Sequence, residues 1–165
     1  MKVHGKMTIG KFIFINYFRQ GLGVETFPDN SRYEGQFFKG TKEGRGKFFW
    51  HDQAQYEGEF KNGDIHGSGV YEWADGRRYE GDWKNNAMDG KGVFTWKDGR
   101  RYVGEYKADK KEGYGEFEWP NGKIYKGSWK DGKQDGEGTL LNSKTGDQLT
   151  ASWMNGQRVG KTVEE

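Results

Sequence analysis

The chain contains no cysteine and only 2 prolines, and it has no apolar run near the ~20 residues that cross a bilayer. The absence of cysteine excludes a disulfide framework, a thiolate nucleophile and a cysteine-ligated metal. The apolar fraction, 32%, is below the ~45–50% usual for globular domains, so we do not expect a conventional two-layer core. The net charge of +2 gives little attraction for nucleic acid, so we expect no nucleic-acid partner.

Glycine and aromatic residues dominate instead: the chain has 28 glycines, and 16% of its residues are aromatic. Intrinsic disorder calls for few aromatics and a high net charge, and neither condition holds. Flexible linkers combine glycine with serine rather than with tryptophan. The composition therefore predicts an ordered structure in which glycine and aromatic side chains have fixed places.

A 23-residue unit recurs through the chain, and its full copies begin at Tyr33, Tyr56, Tyr79, Tyr102 and Tyr125. Counting that tyrosine as position 0, glycine occupies positions +2, +11 and +13, and aromatic residues occupy +4 and, except in the last repeat, +15 and +17. In the repeat that starts at Tyr56 these residues are Gly58, Gly67, Gly69, Phe60, Tyr71 and Trp73. Such strict self-similarity is the sequence signature of a solenoid.

The positions follow a period of two, which predicts two short strands per repeat with one aromatic face and one charged face. We place a six-residue connection, such as KNGDIH, between the two strands, and a tight Asp-Gly or Asn-Gly turn after the second. The sequence therefore predicts an all-β fold: an elongated, single-layer antiparallel solenoid of β-hairpins whose stability comes from contacts between neighbouring repeats.

Pairing about these turns predicts that rings lie beside glycines. We expect Phe60 opposite Gly67 within the hairpin, and Tyr71 opposite Gly81 of the next repeat. Because a glycine lacks a Cβ, an aromatic ring can cover its backbone, so the glycines would form a floor for the rings.

The repeats are predicted to extend over residues 10–160, with tails at residues 1–9 and 161–165. Both end repeats are degenerate, as solenoid caps usually are. Gly10 and Phe12 stand for positions +2 and +4 of the first repeat, in which Glu25 replaces the ring at +15. The apolar segment Phe12–Phe18 has the length of a signal-peptide core but lacks a small-residue cleavage site after it, which favours a buried strand.

The pattern Y-x-G-x-[WFY]-x(6)-G-x-G, followed by aromatics at +15 and +17, resembles the MORN repeat (membrane occupation and recognition nexus) over residues 10–160. Gln53 in place of a turn glycine and Asn142 in place of the ring at +17 depart from it. The resemblance implies an elongated antiparallel sheet with a groove lined by the repeated aromatics. MORN arrays occur in cytoskeletal and ciliary scaffolds, in junctional membrane-tethering proteins, and as non-catalytic portions of lipid kinases and a protein methyltransferase.

The residues that could carry catalysis or bind a metal do not form a site in the sequence. His4, His51 and His66 fall in a tail, a turn and the end of a loop, so we expect solvated histidines. Glu59 and Asp82 recur at the repeat spacing, which is typical of a charged face exposed to solvent. We therefore predict that the protein is not an enzyme and uses neither a cofactor nor a metal.

The aromatic face is the first candidate binding surface, because one sheet layer does not cover it fully and an apolar patch with polar rims marks an interface. It comprises Trp50, Tyr71, Trp73, Trp83, Phe94, Trp96, Tyr106, Phe117, Trp119 and Trp129. We expect protein partners there: an extended peptide, a helix or another MORN array.

A basic row in the turns is the second candidate surface. It would line one edge of the rod and contact anionic membrane lipids, although aspartates in the same turns weaken its field. The row comprises Arg77, Arg78, Arg100, Arg101 and Lys123.

We predict a non-catalytic scaffold that serves as a rigid spacer and docking surface in a larger assembly, cytoplasmic and associated with the cytoskeleton or a cilium. Two alternatives stay open. One is a module that contacts phosphoinositides and membranes through the basic row. The other is the regulatory MORN portion of a lipid kinase or another enzyme.

Overall fold

The computed structural model describes residues 13–14 and 20–161, and every regular element in these residues is a β-strand. The predicted tail 1–9, His4, Gly10, Phe12 and residues 162–165 lie outside the described residues. The strands are β1 (Ile13–Phe14), β2 (Gly21–Thr26), β3 (Arg32–Phe38), β4 (Thr41–Phe49), β5 (Gln55–Lys61), β6 (Asp64–Glu72), β7 (Arg78–Lys84), β8 (Ala87–Thr95), β9 (Arg101–Lys107), β10 (Lys110–Glu118), β11 (Lys123–Lys130), β12 (Lys133–Asn142), β13 (Gln148–Met154) and β14 (Gln157–Lys161).

These 14 strands form one sheet in the order of the sequence, so each strand pairs with the strands before and after it. Every described pair is antiparallel; the pairing of β5 with β6 and of β6 with β7 is typical. The predicted all-β, single-layer array of hairpins is therefore confirmed. No helix in the described part of the chain is long and apolar enough to cross a membrane.

The connection inside each repeat is shorter than predicted. Strand β5 ends at Lys61 and β6 begins at Asp64, which leaves a two-residue turn rather than a six-residue connection. The turn residues Asn62 and Gly63 have φ of 51° and 91°, respectively. Two central residues with positive φ are typical of a type I′ turn, whose twist matches that of the flanking strands, so the strands continue up to it.

The predicted pairing register is wrong by two residues. Phe60 pairs with Ile65, and Gly67 pairs with Trp83 of the next repeat. Gly67 has φ of 61° and lies at a β-bulge, where the register between β5 and β6 shifts. Because a bulge adds unpaired length to one strand, it moves every later pair away from the positions that a simple period of two predicts.

The glycines do form a floor for rings, but the ring belongs to the tyrosine of the same repeat. Tyr56 is fully buried, and its ring lies over the paired glycines Gly58 and Gly69, so that a Cβ on either would overlap the phenol. Its Oη donates a hydrogen bond of 3.1 Å to the carbonyl oxygen of Glu59. Tyr71, predicted opposite a glycine, instead pairs with the next tyrosine of the series.

The core is a line of rings, which we call the inner row. Each ring at position +4 packs edge-to-face against the tyrosine of its own repeat. From the second full repeat on, it also packs edge-to-face against the tyrosine of the preceding repeat. The ring centroids of these pairs are 4.9–5.7 Å apart. All members are at most 6% exposed. Such contacts stabilise by about 0.5–1.5 kcal/mol each beyond area burial, so neighbouring repeats hold each other in place. The row comprises Tyr33, Phe37, Tyr56, Phe60, Tyr79, Trp83, Tyr102, Tyr106, Tyr125 and Trp129.

Candidate functional site

A second line of rings lies beside the inner row, in contact with it through pairs such as Tyr71 and Trp83, and we call it the outer row. Its consecutive members have centroids 4.4–5.4 Å apart and are tilted by 32–50°. The row comprises Phe48, Trp50, Tyr71, Trp73, Phe94, Trp96, Phe117 and Trp119. It passes from strand to strand along the array and forms a continuous aromatic surface.

Burial divides the predicted aromatic face into two halves. Trp83, Tyr106 and Trp129 belong to the inner row and are 6% exposed, while Phe94 and Phe117 of the outer row are 7% exposed. The other predicted residues are half-buried: Trp50, Tyr71, Trp73, Trp96 and Trp119. The tryptophans at +17, together with Tyr71, therefore set the surface that a partner can touch.

The indole N–H groups divide the tryptophans of the two rows in the same way. Nε1 of Trp83 donates a hydrogen bond of 3.2 Å to the carbonyl oxygen of Gly69, and Trp129 repeats this contact. In residues 20–161, no acceptor lies within hydrogen-bond distance of Nε1 of Trp50, Trp73, Trp96 or Trp119. These free donors recur every two strands, at a spacing of about 9.6 Å.

Two arginines of the predicted basic row border the outer row. The guanidinium of Arg77 lies 5.2 Å from the ring centroid of Trp73, and its Nε lies 2.7 Å from Oδ2 of Asp75. Arg100 repeats this arrangement on Trp96, with its own aspartate. Hydrogen bonds from the backbone N–H and the guanidinium of Arg77 lower the pKa of Asp75. Each arginine is thus held over a tryptophan with its charge compensated.

In the described part of the chain, the other three members of the predicted basic row, Arg78, Arg101 and Lys123, do not lie over a ring in this way. Nη2 of Arg78 lies 2.8 Å from Oε2 of Glu80, on the face opposite to Tyr79, because neighbouring residues of a strand alternate between faces. Arg101 and Lys123 are exposed and form no ion pair among the described residues. Of the predicted basic row, Arg77 and Arg100 are therefore the members that lie over rings of the outer row.

Lysines at position +9 are part of the aromatic surface, and the sequence interpretation missed them. Nζ of Lys111 lies 4.8–5.6 Å from the centroids of four rings, those of Trp96, Tyr102, Phe117 and Trp129. Burial, and secondly the charge of Arg100, lower the pKa of Lys111. Lys42 holds the same position in the first full repeat, 3.7 Å from Oε2 of Glu25. The two lysines stand out in the sequence, since the other repeats have an apolar or amide residue at +9. Placing them on the aromatic surface requires the correct pairing register, which the sequence did not provide.

Acidic side chains of the charged face bind the backbone. Oδ2 of Asp82 accepts a hydrogen bond of 2.9 Å from the N–H of Lys91, close to the bulge. Oε2 of Glu112 accepts one of 3.0 Å from the N–H of Asp131, in the next hairpin turn. The acidic rows therefore stabilise the fold, a role that the interpretation as a solvated face did not include.

The histidines do not converge. Nδ1 of His51 lies 3.7 Å from Oδ2 of Asp29. His66 lies within β6, and its Nδ1 is buried without a hydrogen-bond partner, so the prediction of a solvated loop histidine is wrong there; the short turn extends the strand past it. Within the described residues, no group of three His, Asp or Glu side chains could hold a metal ion.

The charged face has a shallow groove of about 980 Å³, on the side of the paired glycines that faces away from the tyrosine rings. Its walls carry charges of both signs, most of which form ion pairs. Nζ of Lys47 lies 3.1 Å from Oε2 of Glu57, and Arg78 is paired as described above. Because most of these charges are already paired, the groove has fewer free groups for a partner to bind than the outer row has.

The family model of the MORN repeat matches the chain in six segments: residues 13–32, 33–55, 56–77, 79–100, 102–124 and 125–143. The search of curated proteins finds no match to the chain. The ends of five of these segments lie within one or two residues of the next register tyrosine, so the family match and the 23-residue repeat coincide.

Two solved structures resemble the fold. The TCP10 domain of CPAP from Danio rerio has a TM-score of 0.50 at 18% identity, over 87% of this chain and 66%, just under two thirds, of that one. The TCP domain of SAS-4 (dCPAP) from Drosophila melanogaster, in complex with a proline-rich motif of Ana2 (dSTIL), has a TM-score of 0.50 at 14% identity, over 99% of this chain and 98% of that one. Identities this low show a shared fold alone.

Proposed function

The chain belongs to the MORN repeat family, and we propose that it is a non-catalytic docking module that binds a proline-rich segment of another protein along the outer row. The observation that carries this proposal is the spacing of the free indole donors. They recur every two strands, at about 9.6 Å. A polyproline II helix makes one turn in three residues and rises ~3.1 Å per residue, so one turn is about 9.3 Å long.

The two periods match closely enough for a polyproline II segment to lie along the array with one turn per repeat. Proline rings would pack on the exposed parts of the indoles of Trp73 and Trp96, beside the guanidinium groups of Arg77 and Arg100. Both indoles are half-buried and held in place by neighbouring rings. The backbone carbonyls of a polyproline II helix have no internal hydrogen bonds, so they are free to accept from Nε1 of these tryptophans.

Supporting evidence comes from a fold neighbour that forms a complex with a proline-rich motif, the TCP domain of SAS-4. The identity of 14% carries over the fold and not the binding residues, so the proposal depends on the geometry of this chain. The four free donors extend over three repeat spacings, about 29 Å, which corresponds to a segment of about ten residues.

The wider role that we propose is a rigid spacer that holds such a partner within a larger assembly, in the cytoplasm and at the cytoskeleton or a cilium. One layer of antiparallel strands held by ring contacts between neighbours supports the rigidity. The cytoskeletal and ciliary setting follows from the scaffolds in which MORN arrays occur.

Isothermal titration with a peptide of about ten residues, in which alanine follows every two prolines, tests the docking function. We expect binding to the wild type and at least a tenfold loss in a Trp73→Leu/Trp96→Leu variant, with circular dichroism showing that the variant stays folded. The matched control is Arg78→Ala/Arg101→Ala, which removes two charges on the face opposite to the outer row and should bind normally.

A second arm uses vesicles that contain phosphoinositide. One outcome would overturn the docking proposal: the wild type does not bind the peptide but binds these vesicles, and Arg101→Ala/Lys123→Ala abolishes the vesicle binding. The membrane-contact alternative would then replace it.

A further inference from the structure

Lys111 places an ammonium group inside the outer row without a counter-ion. Its Nζ is 5.6 Å from the ring centroid of Trp96, 5.1 Å from that of Phe117 and 4.8 Å from that of Trp129. Within residues 20–161, no carboxylate lies within ion-pair distance of this Nζ. The aromatic faces stabilise the cation, but they leave its capacity for charged hydrogen bonds unused.

The first full repeat shows how the same position looks when the charge is compensated. Lys42 also lies over aromatic rings, 4.9 Å from the centroid of Phe27 and 5.4 Å from that of Phe48. Its Nζ is 3.7 Å from Oε2 of Glu25, and both side chains are mostly buried, at 18% and 16% exposure. Glu25 occupies the place of a ring of the outer row, so the chain supplies the carboxylate itself.

The repeats between these two have no charge at the position. Ile65 is 7% exposed, and Met88 packs against the inner row. The other charged groups near Lys111 do not compensate it. Arg100 adds a second positive charge above Trp96, and its aspartate, Asp98, is already paired with it at 2.8 Å. Among these four repeats, position +9 therefore has one uncompensated cation, Lys111.

We propose that Lys111 selects a proline-rich partner that places a carboxylate over this position of the outer row, an inference that rests on the docking function proposed above. The partner class is thus an acidic proline-rich segment. The carboxylate of the partner takes the place that Glu25 takes beside Lys42, and it forms the ion pair that the chain does not form internally.

Lys111 also fixes where along the array the segment binds. The outer row presents nearly the same tryptophan in each repeat, so a uniform proline-rich peptide can shift by one repeat at little cost in binding. A single cation makes one register more favourable than the others for a peptide with a single carboxylate. Specificity here is a difference between registers of one surface.

The test uses two peptides of about ten residues, one with alanine after every two prolines and one with glutamate in place of the central alanine. We expect the glutamate peptide to bind the wild type about tenfold more tightly than the neutral peptide, with a preference that decreases as salt increases. Lys111→Met, which introduces the residue found at this position in another repeat, should abolish the preference and leave binding of the neutral peptide within about twofold.

The matched control is Glu25→Gln/Lys42→Met, which removes the compensated pair and should keep the tenfold preference. Lys111→Arg should restore most of the preference, because it restores the charge. The inference is overturned if the wild type binds both peptides equally, or if Lys111→Met weakens both by the same factor, which would indicate a purely structural lysine. Failure of both peptides to bind the wild type would overturn the docking function itself.

Discussion

The packing of each tyrosine on glycine predicts an unusual result for alanine at Gly92. An ideal Cβ there would have its three nearest atoms in the phenol ring of Tyr79, all within 2.5 Å. At Gly81, directly opposite on β7, the Cβ would instead meet the Cα of Gly92 and the carbonyl oxygen of Lys91, each at 2.5 Å, and then the Oη of Tyr79 at 2.6 Å. The nearest obstacle is therefore a removable side chain at Gly92, whereas at Gly81 two backbone atoms would remain after the Tyr79 ring is removed.

The expected cost follows from these contacts. Overpacking a filled site destabilises a protein by about 1–3 kcal/mol. Moving the Tyr79 ring also weakens the hydrogen bond of 3.0 Å from its Oη to the carbonyl oxygen of Asp82, which contributes roughly 1 kcal/mol. Alanine gains about 0.5–1 kcal/mol over glycine in a strand through chain entropy. We therefore expect Gly92→Ala to lower the free energy of unfolding by about 2 kcal/mol.

Urea unfolding followed by far-ultraviolet circular dichroism measures this cost in two backgrounds, wild type and Tyr79→Val. Without the phenol, Gly92→Ala should become neutral or stabilising by up to about 1 kcal/mol. Gly81→Ala should remain destabilising by about 2 kcal/mol in both backgrounds, because backbone blocks it. Equal costs for Gly92→Ala with and without the Tyr79 ring would refute the packing described here.

Two further predictions concern the turns and the buried phenols. Gln53 has φ of 76° at a position where the next three repeats have glycine. Gln53→Gly should therefore raise the free energy of unfolding by about 1 kcal/mol in thermal melts. Gly99→Gln is the converse control, and a lower stability of Gln53→Gly would contradict the strain. Burial raises the pKa of Tyr125 to about 12, whereas a tyrosine in the unfolded chain has a pKa near ~10. As pH rises above about 10, the unfolded chain therefore loses this proton before the folded protein does, and the free energy of unfolding decreases. Tyr125→Phe should make this decrease in stability smaller. The absorbance of phenolate, measured against pH in the folded wild type and the folded variant, tests the pKa: a difference between the two curves with its midpoint near pH ~10 would exclude the raised pKa.

The architecture was predictable because the period of 23 and the period of two both appear in the order of residues. The register was not, because glycine has two roles that look alike in the sequence. Gly67 adopts a positive φ and forms the bulge, while Gly69, two residues later, lies under a tyrosine. The short turn at Asn62 and Gly63 carries a clear type I′ signal, but at the same place in another repeat Ala108 also has a positive φ, which obscures the signal.

The aromatic face was predicted as one surface because rings at +4 and +17 lie on the same side of the sheet. Burial depends on neighbours: Trp83 packs between two tyrosines, whereas Trp73 contacts only rings of the outer row and stays half-buried. Sequence patterns place residues on a face, and only the packing of adjacent repeats decides which rings a partner can reach.

The residues that depart from the repeat determine at which register a partner binds. A surface built from identical units binds equally well at every register, so only an irregular position can distinguish one register from another. Glu25 and Lys42 each depart from the repeat, but they form an ion pair with each other. Their position therefore has no unpaired charge that could favour one register. Lys111 has no such companion, which leaves it as the position where the aromatic surface differs from its own repeats.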